Sequence, residues 1–405
     1  MKNVAILNTC ISGSTGKIAS GLHEKLILKG YNSYFCYGRE DSNKKQGYYK
    51  IGNVLNKYFH AGLAKFFGLQ GIGSVIPTTR LTNFFKRKSI DTLFIVSLHG
   101  YYLNERILYR CTSKMNINII YIMIDEYAYL GNCAYSDNCE GYINECKECL
   151  RRNDYIPLKS LNSPSLVFEI KKRGYHANKN MIFVGPQYTI EKARKSPLLS
   201  NRKLILLDEA VNTDLYIPQD TNKLRLELGI KENQIVILCI APFSYKRKGC
   251  KYFVELARRF EHNNRYVFVH VGFDVNPKKV DLPRNYIKIG YIKNQSLLAQ
   301  YYSLGDLFVF PSLLDTMPNA CLEALSSGTP LLIFNISGMP YIADETVATF
   351  VEAADVDSMV KVVEKTSKKT NDKSRICREY ALRRYDSKIY YNKLIDLGEK
   401  FNYMV

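Results

Sequence analysis

The chain has 405 residues, of which 46% are hydrophobic, so it can bury large cores, and its length favours two domains. Its 57 lysines and arginines outnumber its 38 aspartates and glutamates, and the formal net charge of +19 predicts attraction to phosphates, anionic lipids or nucleic acids. The sequence has no zinc-finger spacing, aromatic RNP stretch or basic zipper, so we expect no nucleic-acid partner.

The first apolar run, at residues 1–9, has only Lys2 ahead of it and is too short for the hydrophobic region of a signal peptide. No uninterrupted apolar stretch reaches the roughly 18 to 20 residues that a membrane-spanning helix requires. We therefore expect a cytoplasmic protein whose contact with the membrane is peripheral.

Short apolar runs alternate with amphipathic runs along the first half of the chain. They lie at residues 4–8 and 17–29, at 93–97 and 104–114, and at 117–124. This alternation predicts βαβ units that form a parallel sheet.

The alternation restarts after Pro218. It continues through a helix near residues 224–228, a strand at 235–240, a helix at 250–260 and a strand at 267–271. A second Rossmann-like domain is therefore expected, with residues 208–220 as a turn-rich connection. We place the two domains at residues 1–202 and 203–385.

The first predicted strand leads into a glycine-containing turn, Gly13-Ser-Thr-Gly16-Lys17-Ile18. It is not a P-loop, because that motif requires four residues between its glycines and a serine or threonine after the lysine. The residues alone are consistent with a tight βα turn that binds no ligand.

Residues 54–88 mix aromatic with basic side chains. These are Phe59, Phe66, Phe67, Phe84 and Phe85 beside Lys57, Lys65, Arg80, Lys86, Arg87 and Lys88. The mixture predicts either an amphipathic segment lying in a lipid headgroup layer or a core-facing helix with a solvated basic face.

Four of the 11 cysteines cluster in a predicted loop at residues 130–150. Cys133, Cys139, Cys146 and Cys149 have the spacing C-x5-C-x6-C-x2-C. Four thiolates can enclose a structural zinc ion, and the last interval is that of a zinc knuckle, although the first exceeds the usual two to four residues. Reduced free thiols or a labile disulfide are the alternatives.

In the second half, the strand at 235–240 leads into a basic turn that contains Arg247 and Lys248. At the carboxyl end of a strand these cations could neutralise a diphosphate and stabilise a departing nucleoside diphosphate. A solvated basic turn is the alternative.

The stretch from Asp306 to Pro340 contains a strand at 307–310, a loop, a helix capped by Asn319 and ended by Gly328, and a strand at 331–334. Asp315 lies in the loop and Glu323 one turn inside the helix. A helix start favours a phosphate group, and a carboxylate can accept hydrogen bonds from sugar hydroxyls. These features predict a nucleotide-sugar site, whereas two such acids alone would usually be solvated surface.

The same residues resemble the signature of family 4 glycosyltransferases. Asp315 and Glu323 match the two acids of its E-x7-E motif, and Arg247-Lys248-Gly249 resembles its phosphate clamp. The resemblance implies the α/β fold called GT-B, in which two Rossmann-like domains face each other across a cleft. It also implies that a last helix, within residues 386–405, packs back on the first domain.

The resemblance assigns roles in donor binding and catalysis. It implies that Asp315 contacts the transferred sugar, that Glu323 holds the ribose, and that Arg247 and Lys248 replace a divalent metal ion on the diphosphate. Asp315 is one methylene shorter than the family's glutamate, which leaves the preferred sugar open.

Further donor contacts follow from the same resemblance. The helix start at Pro318 and Asn319 would add its dipole, and Tyr291 occupies the place where relatives seat the base. Gly13 and Gly16 would let the backbone approach the donor phosphate.

The first half is similar to bacterial polysaccharide glycosyltransferases of the colanic-acid and O-antigen type. The similarity rests on the glycine turn, on residues 99–104 and on residues 125–135. Relatives carry a histidine beside the donor sugar where this chain has Ile124, and Asn132 replaces a second one. The resemblance therefore implies either that His99 or Asp125 compensates or that activity is impaired.

These implications define an expected function. A UDP- or GDP-sugar would donate its sugar, with retention and without a metal cofactor, to a lipid-linked oligosaccharide in O-antigen, lipopolysaccharide, capsule or exopolysaccharide assembly. Residues 54–88 would hold the enzyme at the anionic inner leaflet. The alternatives are a catalytically impaired sugar-nucleotide or glycan-binding protein and a GT-B sugar-nucleotide epimerase.

Overall fold

The computed structural model describes residues 2–40, 45–67, 73–149, 164–276 and 280–401, without the side chains of residues 65–67. The side chains of Lys65, Phe66 and Phe67, and residue 150 at the end of the cysteine loop, therefore lie outside the described residues. The chain forms two compact units, Met1–Leu207 with Tyr391–Val405, and Asp208–Tyr390.

The first unit contains a parallel sheet of seven strands. They are β1 (Asn3–Asn8), β2 (Asn32–Tyr37), β3 (Tyr48–Lys50), β4 (Thr92–Ile95), β5 (Asn118–Ile122), β6 (Met181–Gly185) and β7 (Lys203–Leu206). Their order is β3-β2-β1-β4-β5-β6-β7. The central strands β1, β4 and β5 are mostly apolar, as expected where helices cover both faces of a parallel sheet.

The helices of this unit are α1 (Gly13–Leu28), α2 (Val54–Phe67), α3 (Val75–Arg87), α4 (Glu105–Lys114), α5 (Pro164–Ala177) and α6 (Gln187–Lys195). Helix α4 begins at its predicted position because the Asn104 side chain accepts a hydrogen bond from the Ile107 amide at 3.0 Å. Within the described ranges, no helix has both the length and the apolar character needed to cross a membrane.

The second unit contains a parallel sheet of six strands in the order β10-β9-β8-β11-β12-β13. They are β8 (Ile235–Ile240), β9 (Tyr266–Val271), β10 (Tyr286–Ile289), β11 (Leu307–Phe310), β12 (Leu331–Phe334) and β13 (Ala348–Val351). The helices of this unit are α7 (Asn222–Glu227), α8 (Cys250–Arg259), α9 (Gln295–Leu304), α10 (Asn319–Ser326), α11 (Val356–Lys365) and α12 (Asn371–Tyr385). The last helix, α13 (Ser387–Glu399), begins in the second unit and belongs to the first from Tyr391 onward.

The boundaries between the units differ from those expected at residues 203 and 386. Strand β7 pairs with β6, with Lys203 opposite Ile182, so the first unit continues to Leu207. The return to the first unit occurs at Tyr391, inside α13. Both shifts arise because strand pairing and packing, rather than a break in the sequence pattern, determine where a unit ends.

Both sheets reverse their strand order at one place. In the first sheet the reversal lies between β1 and β4, and in the second between β8 and β11. Two loops diverge there at the carboxyl ends of the strands, and parallel α/β sheets bind ligands in the resulting crevice. The fold therefore indicates where each unit carries its functional side chains.

Two histidines of the first unit, His23 and His60, are buried, and within the described ranges neither forms an ion pair. His23 lies against the Ser33 hydroxyl at 2.8 Å and His60 against the Ser74 hydroxyl at 2.9 Å. Burial lowers the pKa of both imidazoles to about 4. Each ring is therefore neutral in the folded state at a pH where it would be protonated in the unfolded chain.

We expect the first unit to lose stability as the pH falls from 6.5 to 4. In that window the unfolded state binds more protons than the folded state. The free energy of unfolding therefore decreases as the pH is lowered, by at most about 3 kcal/mol for each histidine. Melting temperatures of the wild type and a His23→Gln/His60→Gln variant should converge as the pH is lowered. The exposed His176→Gln is the control, and equal pH slopes for the wild type and the double variant would contradict the assignment.

Candidate functional site

Two loops meet where the second sheet reverses its strand order. In the loop after β11, the Leu313 amide donates a hydrogen bond to the Arg247 carbonyl oxygen at 2.8 Å, and the Ser312 hydroxyl donates to the same oxygen at 3.1 Å. These bonds fix the basic turn after β8 against the loop that carries Asp315.

Gly249 makes this contact possible. Its backbone φ is +65°, and a Cβ atom there would overlap the carbonyl oxygen of Pro311. Only glycine satisfies both conditions without strain. Lys246–Lys248 form one 3₁₀ turn, and α8 starts directly after Gly249.

Asp315 is buried between the two predicted clamp cations. Its Oδ1 accepts a hydrogen bond from Arg247 Nη1 at 2.9 Å, and its Oδ2 accepts from Lys248 Nζ at 2.8 Å and from the Ser312 hydroxyl at 2.7 Å. Burial alone would raise the pKa of this carboxyl group, but the charges of Lys248 and Arg247 outweigh it and the pKa is lowered. Asp315 is therefore an anion that neutralises the clamp, a role that sequence spacing does not indicate.

The helix that follows the loop begins one residue differently from the prediction. Pro318 is the N-cap of α10, and Asn319 is its first helical residue, whose side chain makes no capping hydrogen bond. The prediction of Asn319 as cap was wrong because the extended backbone of Pro318, with ψ of 117°, already makes the turn into the helix. The Asn319 Oδ1 atom is buried and has no hydrogen-bond partner among the described residues.

Glu323 lies one turn further along α10 and is also buried. Its Oε2 accepts a hydrogen bond from the Tyr302 hydroxyl of α9 at 2.8 Å. Tyr291, the predicted base-binding residue, follows β10 on the other side of β8 from β11, and its ring is exposed. Glu323 thus lies on the helix that directly follows the loop carrying Asp315, whereas Tyr291 lies in a separate loop.

In the first unit, His99 and Asp125 are brought together at the carboxyl ends of β4 and β5. His99 Nε2 lies 2.9 Å from Asp125 Oδ2, and the other carboxylate oxygen accepts the Tyr127 amide at 2.9 Å. The Thr9 hydroxyl, at the end of β1, donates to the His99 carbonyl oxygen at 2.6 Å. A paired histidine therefore stands at the first strand-order reversal, next to the partly exposed Ile124.

Gly13 and Gly16 lie in the first turn of α1, directly after β1. The backbone amides that lead into this helix are already occupied by Glu40, whose carboxylate accepts from the Ile11 amide at 2.6 Å and from the Ser12 amide at 3.2 Å. An acid thus sits where a phosphate was expected. The sequence gives no signal for Glu40, because its contact spans about 30 residues and depends on β2 lying beside β1.

Lys171 is a further residue that the sequence analysis missed. Its side chain is fully buried, and Nζ donates to the carbonyl oxygens of Tyr127, Leu130 and Gly131 at 2.6, 3.0 and 2.9 Å. Burial lowers its pKa to about 8, opposed by the charge of Glu105. Lys171 therefore holds the segment that follows Asp125, although the sequence does not distinguish it from its exposed neighbour Lys172.

The four loop cysteines line one cavity of about 30 Å³. Among the described residues, the group of three metal-ligating side chains with all ligand atoms within 4.8 Å of one another is instead Cys239, Cys250 and His270. There both imidazole nitrogens of His270 are engaged, one with the Tyr286 hydroxyl at 2.6 Å and the other with the Ala241 carbonyl oxygen at 2.9 Å. These three residues lie too far apart in the sequence to form a recognisable metal-site motif, so the sequence analysis did not indicate this group.

Comparison with known proteins decides the class. Residues 220–384 match the family model described as glycosyl transferases group 1. The chain is a GT-B glycosyltransferase. This confirms the predicted α/β fold class and the resemblance to family 4 enzymes.

Two curated relatives and one solved structure are also glycosyltransferases or share the fold. Over 341 residues the chain is 21% identical to the colanic acid biosynthesis glycosyl transferase WcaC of Escherichia coli K12, with 79% of this chain and 80% of that one covered. Over 211 residues it is 29% identical to the E. coli UDP-Gal:alpha-D-GlcNAc-diphosphoundecaprenol alpha-1,3-galactosyltransferase, with 48% and 54% covered. Sucrose-phosphate synthase from Thermosynechococcus elongatus has the same fold, with a TM-score of 0.71, 12% identity and full coverage of both chains.

We expect Asp315→Asn to lower the melting temperature of the nucleotide-free enzyme and to enlarge the stabilisation that UDP provides. The substitution leaves Arg247 and Lys248 without their buried anion, a loss that typically costs about 3 kcal/mol or more, and a bound diphosphate restores the missing charge. Thermal-shift titration with UDP measures both effects. Asp357→Asn, at an exposed acid of the same unit, is the control, and weaker stabilisation of the Asp315 variant by UDP would contradict the pairing.

Proposed function

We propose that this glycosyltransferase transfers a sugar, with retention of anomeric configuration, from a nucleoside diphosphate sugar to a lipid-linked glycan in bacterial surface polysaccharide assembly. The observation that carries the proposal is the Arg247 and Lys248 pair, held by Asp315 at the strand-order reversal of the second sheet. Two converging cations whose anionic partner can give way to a ligand suit a diphosphate.

The donor is bound by side chains rather than by a metal ion in this proposal. The diphosphate takes over the hydrogen bonds that Arg247 and Lys248 give to Asp315, and these cations stabilise the charge that develops on the leaving group. The amides at the start of α10 add a favourable dipole. Glu323, fixed by Tyr302, accepts the ribose hydroxyls.

Asp315 and the His99–Asp125 pair are the proposed groups at the reacting sugar. Once the diphosphate holds the cations, the Asp315 carboxylate is free to accept a hydrogen bond from a sugar hydroxyl. In the first unit, Asp125 orients the His99 ring through the 2.9 Å contact. His99 then supplies the imidazole that relatives place at the position of Ile124.

The relatives support the choice of acceptor. One is named for colanic acid biosynthesis, and another for transfer of galactose to a diphosphoundecaprenol-linked GlcNAc. We infer that this chain likewise acts on a lipid-linked glycan, with a UDP- or GDP-hexose as donor.

Helices α2 and α3 form the proposed membrane-facing surface. Exposed apolar side chains lie on α2, where Leu55 is 77% and Phe59 68% exposed, and at the start of α3, at Val75 and Ile76. Further along, α3 is a core-facing helix with a solvated basic face, since Phe85 is buried in the core while the basic residues on its other side face solvent. Such a face can also contact lipid headgroups. An apolar surface beside exposed cations suits the anionic inner leaflet of the membrane.

A basic cavity on α3 strengthens this choice. It encloses about 470 Å³ and is lined by Tyr49, Arg80, Asn83, Lys86 and Arg87. Among the described residues, no acidic side chain lines this cavity, so its cations can bind a lipid phosphate. The enzyme is thus proposed to bind peripherally at the membrane where its lipid-linked acceptor resides.

The second candidate is a sugar-nucleotide-binding protein with impaired catalysis. Ile124 favours it, because an apolar side chain stands where relatives carry a histidine. Donor hydrolysis and transfer with a polyprenyl-diphosphate-linked GlcNAc separate the two, since a pure binder gives a thermal shift with UDP but neither reaction.

We expect Lys248→Met to slow transfer about 100-fold, because it removes a cation that stabilises the departing diphosphate. Release of UDP or GDP from a panel of hexose donors measures the rate, and NMR of the product reports whether the anomeric configuration is retained. The exposed Lys246 of the same turn provides the matched control, Lys246→Met. Equal rates for the two variants would remove the clamp from the mechanism.

We expect Leu55→Ser/Phe59→Ser to reduce binding to vesicles of anionic phospholipid at least about tenfold, since each buried apolar side chain contributes about 1.5 kcal/mol or more. Vesicle co-sedimentation measures the binding. Leu226→Ser is the control, because Leu226 is 80% exposed on α7 of the second unit. Unchanged binding of the double variant would show that α2 does not face the membrane.

A further inference from the structure

The cysteine loop between β5 and α5 surrounds a space the size of a single ion. Its cavity of about 30 Å³ is lined by all four clustered thiols, Cys133, Cys139, Cys146 and Cys149, and otherwise largely by apolar and backbone atoms. A cavity of this volume holds one water molecule or one metal ion. Cys133 and Cys149, at the two ends of the cluster, therefore line the same cavity.

The backbone brings the thiols inward. Glu145 and Cys146 both adopt left-handed conformations, with φ of +58° and +53°, and the Cys146 amide donates to the Gly141 carbonyl oxygen at 2.8 Å. A Cβ atom at Gly131 would lie 3.0 Å from Cys146 Sγ, so the glycine allows that sulfur to approach. Cys146 thus lies in a tight turn at the start of the C-x2-C pair, whose spacing is that of many zinc sites.

Cations border the loop from two helices. Lys171 of α5 donates to the Gly131 carbonyl oxygen at 2.9 Å, and Lys192 of α6 donates to the Asp137 carbonyl oxygen at 3.3 Å. Four thiolates around a divalent ion carry a net charge of about −2. The two lysines offset that charge in the folded protein.

The other cluster of metal-ligating side chains is less suited to an ion. At Cys239, Cys250 and His270 the imidazole already uses both nitrogens in hydrogen bonds, which leaves two thiols. A metal there would break one of these bonds, whereas the loop offers four sulfur ligands around one cavity.

We propose that Cys133, Cys139, Cys146 and Cys149 bind one structural zinc ion in a tetrahedral site. The sulfurs, which are spread around the cavity wall, draw in to about 2.3 Å from the metal, and each thiol releases its proton to solvent as it binds. Between residues 130 and 149, the part of the loop that the structure describes, the one regular element is the 3₁₀ turn Gly141–Asn144, so the backbone there can adjust to this contraction.

The zinc would stabilise the segment that carries Asp125. The Glu126 amide donates to the Ala134 carbonyl oxygen at 3.0 Å, and the Glu126 carboxylate accepts from the Ser136 amide at 2.7 Å. The loop thus folds back on the residue next to Asp125. Zinc therefore has a structural role beside the proposed reacting centre and takes no part in the chemistry.

Metal analysis of the full chain, purified under reducing conditions after growth with zinc, tests the site. We expect one zinc per chain in the wild type, at least a fivefold loss in Cys146→Ser/Cys149→Ser, and full retention in Cys239→Ala. Cobalt substitution should give thiolate-to-cobalt charge-transfer bands and tetrahedral d–d bands. A wild type without zinc, or zinc lost only from Cys239→Ala, overturns the proposal.

Alkylation of the wild type removes any dependence on how the variants fold. We expect the four loop cysteines to be protected until a chelator is added, while the partly exposed Cys10 and Cys111 react equally with and without it. Equal reactivity of the loop cysteines in both conditions overturns the proposal. So does an intact mass that shows a disulfide among them in the protein purified under reducing conditions.

Discussion

A buried aspartate between two cations is the interaction on which the geometry of the second unit's site depends. An unpaired charge in a protein interior is costly, so Asp315 can be buried only because the partly exposed Arg247 and Lys248 pair with it. Their pairing brings the loop after β11 against the turn after β8, and it requires glycine at position 249, where any side chain would overlap Pro311. In the proposed reaction the diphosphate replaces the anion that already holds the two cations in place.

The parallel sheets explain why the remaining site residues gather where they do. Each sheet reverses its strand order once, and the loops that diverge there carry Arg247 and Asp315 in one unit and Thr9 and His99 in the other. Hydrogen bonds between neighbouring loops then fix side chains that are many residues apart. Asp125 joins the first group because β5 lies beside β4.

The sequence predicted the elements around the second site closely. The strands expected at residues 307–310 and 331–334 occur at those positions, because fully buried parallel strands are unbroken apolar runs bounded by turn residues. It erred at Asn319, where Pro318 is the cap, and at the domain boundary, where β7 belongs to the first sheet. Both errors concern places where local residue preference competes with backbone geometry or strand pairing.

By itself the sequence determined the alternation of strands and helices, since periodicity is a local property, and its motifs carried the resemblance that implied the GT-B class and the proposed donor-site residues. Only the tertiary structure decided which charges pair. It placed Asp315 on Arg247 and Lys248, joined His99 to Asp125, and buried Lys171 among three carbonyl oxygens. Such contacts depend on how separate loops pack at a sheet edge, and the free energy of burying a charge is fixed by all its neighbours at once.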